Sequence, residues 1–223
     1  MDTLSFNTAH YESLGCDYYQ DPLNQPRYEF IFKNVGKNQV ILDIGCLDGE
    51  ISKKLELMGN IVIGVDISIN GLTKAKQRAI KIVLANGEKA LPFHQCTFDM
   101  VIASEIIEHL YDTSNFLKQI KRVMRDDGYL ILTTPNLATL GNRIRLLFGK
   151  NPSMDICLEK GPGHIRYFVK SSLKDLLEIN GFSIKKYESD IVSLSPGGKI
   201  RNKKLAKWFP SIGRSICIIA QKN

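Results

Sequence analysis

Between residues 40 and 133, short apolar runs alternate with segments whose apolar residues recur every three or four positions, a pattern that predicts strands and helices in turn. Val40, Ile41, Leu42 and Ile44 form the first run, too continuous for a strand with one wet face, so it reads as a strand covered on both sides. Ile51, Leu55 and Met58 follow at helical spacing. The same reading gives a second strand from Ile61 to Val65, a helix around Ile69 to Ala79, a third strand from Ile82 to Ala85 and a fourth from Phe98 to Ala103. Asp112 or Thr113 caps a helix running to about Met124, and Tyr129 to Thr133 makes a fifth strand that Pro135 stops. Asn24 and Pro26 open a helix through about Val35. Further along, Ser171 or Ser172 starts a helix to Ile179, Gly181 closes it, Phe182 to Tyr187 gives a sixth strand and Ser215 to Ala220 the last. Regular strand–helix alternation predicts an α/β fold built on one doubly wound, mostly parallel sheet.

The joins carry the chemistry. Gly45 and Gly49 punctuate the first strand–helix turn, where glycine allows a sharp bend and lets a ligand approach the backbone. Asp43 places a carboxylate at that strand's C-terminal end; it repels a phosphate and suits a cationic or hydroxyl-rich ligand. Asp66 ends the second strand 21 positions after Gly45, the placement at which an acid meets ribose hydroxyls in dinucleotide-type folds. Asn86, after the third strand, offers an amide donor and acceptor to an adenine edge.

With these residues in place, the chain resembles the class I S-adenosylmethionine-dependent methyltransferases of the small methyltransferase-domain type. Five segments carry the resemblance: LDIGCLDG (42–49), VIGVDIS (62–68), NGEKALPF (86–93), FDMVIASEIIEHLYD (98–112) and RDDGYLILTTPN (125–136). They keep the family's order and spacing over roughly residues 30 to 190. The resemblance implies a Rossmann-like, seven-stranded sheet with an antiparallel last strand, and S-adenosylmethionine as cofactor. It implies that Asp43, Gly45, Cys46 and Gly49 wrap the methionine end of the cofactor and that Asp66, with Ile67 beside it, takes the ribose diol. Asn86 and Gly87 fall at the adenine, and Ser104 and Glu105 border the methyl-transfer cleft. Leu47 stands where the family's first loop has its central glycine, so the loop either holds a non-glycine conformation or admits cofactor less closely. Asn86 replaces a carboxylate, and an amide oxygen accepts the same bond without charge.

Glu105, Glu108 and His109 stand at i, i+3 and i+4, so a helical turn after the fourth strand is expected to gather them on one face. His164, in GPGHIRYF, falls on the substrate side. Glu108, His109 and His164 are the candidates for acceptor chemistry, as base or orienting group; no residue is assigned to a metal. Two other readings stay open. The ExxEH pattern with a later histidine is similar to the metal ligands of Hen-type small-RNA 2′-O-methyltransferases, and related clusters occur in ubiquinone-biosynthesis O-methyltransferases; the same side chains also serve simply to brace the turn.

Composition narrows the class. With 223 residues and 43% hydrophobic content, the chain suffices for a single methyltransferase domain over 1–223, with substrate-side insertions expected at about 136–165 and 190–213. The five cysteines (16, 46, 96, 157 and 217) are scattered without a CxxC pair, which predicts reduced thiols rather than a zinc or disulfide framework. No leader pattern and no apolar run near ~20 residues appears, so a cytoplasmic enzyme is expected. The net charge of +7 is local: residues 191–223 carry seven cations and no acid, which leaves 23 cations against 23 acids elsewhere. Within that stretch Leu205, Trp208, Phe209 and Ile212 lie beside the cations, and Leu140 to Lys150 repeats the mixture. Either the apolar residues pack on the domain, or the two segments meet a lipid-linked substrate or an anionic membrane surface; nucleic acid is a weaker partner reading. The expected function is methylation of a small molecule, oxygen favoured, with a sugar, lipid-linked or secondary-metabolite acceptor. The alternatives are an RNA-end 2′-O-methyltransferase with a metal-assisted ExxEH site and a catalytically silent methyltransferase-like binding module. A nicotinamide oxidoreductase is disfavoured, because Leu47 and Glu50 occupy positions its glycine motif needs.

Overall fold

The computed structural model describes residues 24–153, 163–194 and 200–223. The elements run in the order α1 (Gln25–Lys33), β1 (Val40–Ile44), α2 (Glu50–Leu57), β2 (Ile61–Asp66), α3 (Ile69–Gln77), β3 (Lys81–Leu84), β4 (Phe98–Ser104), a 3₁₀ turn (Ile107–His109), α4 (Thr113–Val123) and β5 (Met124–Pro135). There follow α5 (Leu140–Leu147), α6 (Lys170–Ile179), β6 (Phe182–Glu188), β7 (Val192–Ser193), β8 (Arg201–Asn202), α7 (Lys203–Trp208), a second 3₁₀ turn (Pro210–Ile212) and β9 (Ser215–Lys222). Seven strands form one sheet in the order β3-β2-β1-β4-β5-β9-β6. β1 to β5 are parallel, and β9 inserts antiparallel between β5 and β6. The expected α/β class, doubly wound order and reversed last strand are all present.

Alternation along the central strands divides the interior. Ile41 of β1 faces a core with Phe30 and Ile31 of α1 and Leu55 of α2, whereas Leu42 and Ile44 face the opposite core with Phe116 and Leu117 of α4 and Leu173 of α6. A strand with both faces covered has to be apolar throughout, which explains the unbroken run at 40–44. Each such side chain stabilises the fold by about 1.5–3 kcal/mol.

Boundaries follow local chemistry. Asp112 and Thr139 cap α4 and α5 by accepting backbone N–H groups of Asn115 and Asn142. β5 is longer than expected because Met124 already pairs with Phe98 and the strand continues against β9 as far as Pro135. The stretch between β6 and β9 contains a two-residue ladder and α7, elements too short to show a period in the sequence. Among the described residues no helix is long and apolar enough to cross a membrane. Cys16, Cys157, Lys199 and part of the first insertion, 154–162, lie outside the described residues; Cys46, Cys96 and Cys217 are free thiols.

Candidate active site

The site lies at the carboxyl edge of the parallel strands, where the chain leaves β1, β2, β3, β4 and β5. At the end of β1, Asp43 is buried, and the Ser52 hydroxyl of α2 donates to its Oδ2 at 2.5 Å. Burial raises its pKa to about 6, partly offset by the Ser52 bond and reinforced by Asp66. A carboxylate kept dry in this way is suited to a cation rather than to another acid.

The first loop closes on β2. The N–H groups of Gly45 and Cys46 both donate to Val65 O, at 2.8 and 3.1 Å, while Leu47 N–H donates to Asp66 Oδ2 at 2.8 Å. Leu47 holds a left-handed φ of 46°, which settles the choice left open at this position: the loop adopts the bend without glycine. Space for it comes from α3, where a Cβ on Gly71 would lie 2.9 Å from Leu47 O. Gly45 and Gly49 supply the bends on either side of Leu47, at φ 80° and 73°. Arg78 clamps the loop from outside, its Nε donating to Asp48 O and its Nη2 to Asp48 Oδ2, both at 3.0 Å. Cys46 points inward, its Sγ 2.7 Å from where Gly64 would carry a Cβ, and burial pushes the thiol pKa well up. Its side chain is therefore packing.

Asp66 is held from two sides, accepting from Leu47 N–H and, at 2.8 Å, from Ser68 N–H. Burial raises its pKa, while these bonds and the Ile67 N–H lower it. Each oxygen keeps a further lone pair for a hydroxyl. The Asn86 Oδ1 accepts Glu88 N–H at 2.8 Å in a local Asx turn, which leaves that oxygen a second lone pair. Gly87 lies under the Phe116 ring, where a Cβ would sit 3.3 Å from the aromatic edge.

The far end of the cleft departs more. Glu105, Glu108 and His109 do not share one helical face. Glu105 has φ 55°, and the turn after it is 3₁₀ and covers only Ile107–His109. Glu105 pairs with Arg27 of α1, with Nη1 to Oε2 at 3.1 Å, and accepts the Thr133 hydroxyl at 3.1 Å. Ser104 bonds the same Thr133 hydroxyl at 2.9 Å. The group that does assemble is Glu108, His109 and His164, one donor atom from each lying within 4.8 Å of the others. Segment 164–166 reaches the turn because the N–H groups of Ile165 and Arg166 donate to Glu108 O and the Arg166 guanidinium to the carbonyls of Leu110 and Tyr111. The two imidazoles pack edge to face with centroids 4.6 Å apart.

Glu108 is fully buried. Thr134 donates to its Oε2 at 2.9 Å, whereas Oε1 accepts no hydrogen bond and lies 3.9 Å from His164 Nε2. Burial first, then the Glu105 charge, push its pKa well above the carboxylate range. A carboxyl and two imidazoles around an unsatisfied oxygen can exchange a proton with an acceptor hydroxyl or share a divalent cation. Sequence reasoning missed Arg27, Ser52, Arg78, Thr133, Thr134 and Arg166. Arg27 alone left a signal, since a cation in the first turn of a helix opposes the dipole and needs a partner elsewhere.

This sheet order, with an acid in β1 and another at the end of β2, is the arrangement of the class I S-adenosylmethionine-dependent methyltransferase fold. Residues 42–132 match the model of the methyltransferase domain family, and the chain carries such a domain, with S-adenosylmethionine as its cofactor. It is similar to the mitochondrial ubiquinone biosynthesis O-methyltransferase of Bos taurus, 31% identical over 65% of this chain and 41% of that one. An uncharacterized protein of Methanocaldococcus jannaschii is 27% identical over 93% of this chain and 92% of its own length. The chain thus spans about two fifths of the bovine relative and nearly all of the archaeal one. Among solved structures, a methyltransferase of Thermotoga maritima superposes with a TM-score of 0.69 over 97% of this chain and all of its own, at 18% identity, a likeness of fold.

Proposed function

We propose that the protein methylates an oxygen of a small-molecule acceptor, of the sugar, lipid-linked or secondary-metabolite kind, with Glu108, His109 and His164 at the acceptor end of the cleft. The observation that carries this reading is the bare Oε1 of Glu108 beside two imidazoles. S-adenosylmethionine, when bound, supplies a methyl group already activated on a sulfonium. Asp43 offsets the cofactor's positive end, Asp66 accepts the ribose hydroxyls, and the first loop fixes the reach of both. Holding a nucleophile in line accounts for about 7–11 kcal/mol of such a barrier. Removal of the hydroxyl proton by the Glu108–histidine group adds roughly 10² to 10⁴. Relatives named as O-methyltransferases support oxygen as the acceptor atom.

The test follows labelled methyl from S-adenosylmethionine into fractionated cell extract, with mass spectrometry of the labelled product. Label on an oxygen of a small molecule is expected; label on RNA, on nitrogen, or nowhere overturns the proposal. A second reading, a divalent cation held by Glu108, His109 and His164 that polarises a hydroxyl of a small molecule or of an RNA end, is favoured by the same three side chains. Full turnover in chelator excludes it, and loss reversed by added metal supports it.

A further inference from the structure

Helix α5 is amphipathic in the reverse sense. Its one buried residue is polar: Asn142 donates to Leu137 O and Ser153 O and accepts Ser153 N–H, so the helix is tethered by an amide. Its apolar residues face outward, with Ile144 and Leu146 exposed, Leu147 at 81% and Phe148 at 72%. On α7, Trp208 is 78% exposed and Phe209 follows, while Ala206 is the residue that packs inward. Of the two readings open for these segments, packing on the domain does not hold for Ile144, Leu146, Leu147, Phe148, Trp208 and Phe209, while Leu205 and Ile212 are partly buried. Monomeric surfaces rarely leave such large groups together in water without a use for them.

The two helices belong to one surface. Both pack against β7, Arg143 of α5 donates to Ser211 O beyond α7, and the Asn136 amide donates to Ser211 O and Gly213 O. Their charge has one sign. Residues 137–153 carry Arg143, Arg145 and Lys150 and no acid, and residues 191–223 are equally free of acids. Some of these cations are already engaged: Lys203 pairs with Glu29, Arg214 with Asp190 and Lys222 with Asp126. Among the described residues Arg145 meets only the Asn151 carbonyl, and Lys150, Lys204 and Lys207 are exposed, so these four remain for an outside anion. α5 leaves the carboxyl end of β5, and α7 precedes Ser215 of β9, which pairs with Pro135 at that same end. The surface therefore borders the cleft.

We propose that α5 and α7 form a docking face for an anionic lipid bilayer, which sets the mouth of the cleft at the headgroup level and makes the acceptor a membrane-resident or lipid-linked molecule; this last clause rests on the methyl-transfer reading. Exposed aliphatic side chains beside lysines suit an acyl–headgroup boundary, where the apolar groups bury and the cations meet phosphate. RNA would use the cations and an aromatic ring for stacking and leave Ile144, Leu146 and Leu147 in water.

The experiment is flotation of the full chain with phosphatidylcholine vesicles, with and without phosphatidylglycerol, alongside calorimetric titration with S-adenosylmethionine. Binding to the anionic vesicles only is expected. Leu147→Ser with Phe148→Ser should weaken it about tenfold or more, and Lys204→Gln with Lys207→Gln roughly fivefold per cation. All these positions are exposed, so cofactor affinity should not change. Absence of vesicle binding, or binding that neither pair alters, overturns the docking face. Binding to an RNA oligonucleotide in place of vesicles overturns it, as does a dimer that Leu147→Ser with Phe148→Ser dissolves. Vesicle binding without cofactor binding leaves the docking face standing and sinks the transferase reading; the reverse result does the opposite.

Discussion

The two ends of the cleft handle buried carboxyl groups in opposite ways. At the cofactor end, Asp43 and Asp66 are gripped by Ser52 and by backbone N–H groups from two loops, so their positions are set before any ligand arrives. At the acceptor end, Glu108 is gripped on one oxygen and left bare on the other, facing imidazoles rather than fixed donors. Fixed donors suit a ligand whose charge does not change during binding. A carboxyl oxygen without a hydrogen-bond partner suits a proton or a metal, which come and go. On the proposed reading, the same burial that raises all three pKa values serves binding in one place and proton transfer in the other.

The comparison is most sharply broken at Glu108. Glu108→Gln should lower turnover by roughly 10² to 10⁴ with cofactor affinity unchanged, and turnover kinetics beside calorimetry would read both. Equal loss of binding would erase the distinction between the ends. Asp66→Ala should do the reverse, weakening S-adenosylmethionine about tenfold to a hundredfold, because charge-assisted bonds to the ribose hydroxyls are worth ~1.5–3 kcal/mol.

Asp43 gives a pH signature. Its carboxyl rises from 3.8 to about 6, so the folded chain holds that proton more tightly than the unfolded one. The associated stability is present below about pH 4 and lost as pH climbs through about 6, to the extent of about 3 kcal/mol. Asp43→Asn should accordingly raise the melting temperature of the cofactor-free protein above pH 6 and leave it unchanged below pH 4, while weakening cofactor binding. A pH-independent effect would mean that the carboxyl is not held protonated. Smallest is Arg78→Gln. The clamp on Asp48 is partly exposed, so the loop should loosen by roughly twofold to fivefold in cofactor affinity, with no change in the pH dependence of turnover.

Much of this was legible from residue order. Strands covered on both faces write themselves as continuous apolar runs, and a loop with three left-handed positions keeps glycine at two of them, Gly45 and Gly49, so β1 to β4 and the acid loop could be placed within a residue or two. The acceptor end was legible only in its membership. Glu108, His109 and His164 could be named, but a helical turn was the wrong rule for 105–109, because Glu105 has a left-handed backbone and pairs with Arg27, and the remaining residues close as 3₁₀. That partner lies 78 positions upstream, beyond the range of any local pattern. The exposed apolar face of α5 was hidden for a related reason: a period tells which residues share a side, not whether that side meets protein or water.

The Arg27–Glu105 pair bears on where the functional unit begins. The recognisable family segment spans 42–132, yet the cleft takes its counter-ion from α1 before that segment, and Thr133, Thr134 and His164 from beyond it. A shortened polypeptide starting at β1 would keep every motif and strand of that segment while leaving Glu105 half enclosed and without its guanidinium. Any gene fusion or domain graft that respects only the motif limits would move a cofactor pocket and leave its other half behind.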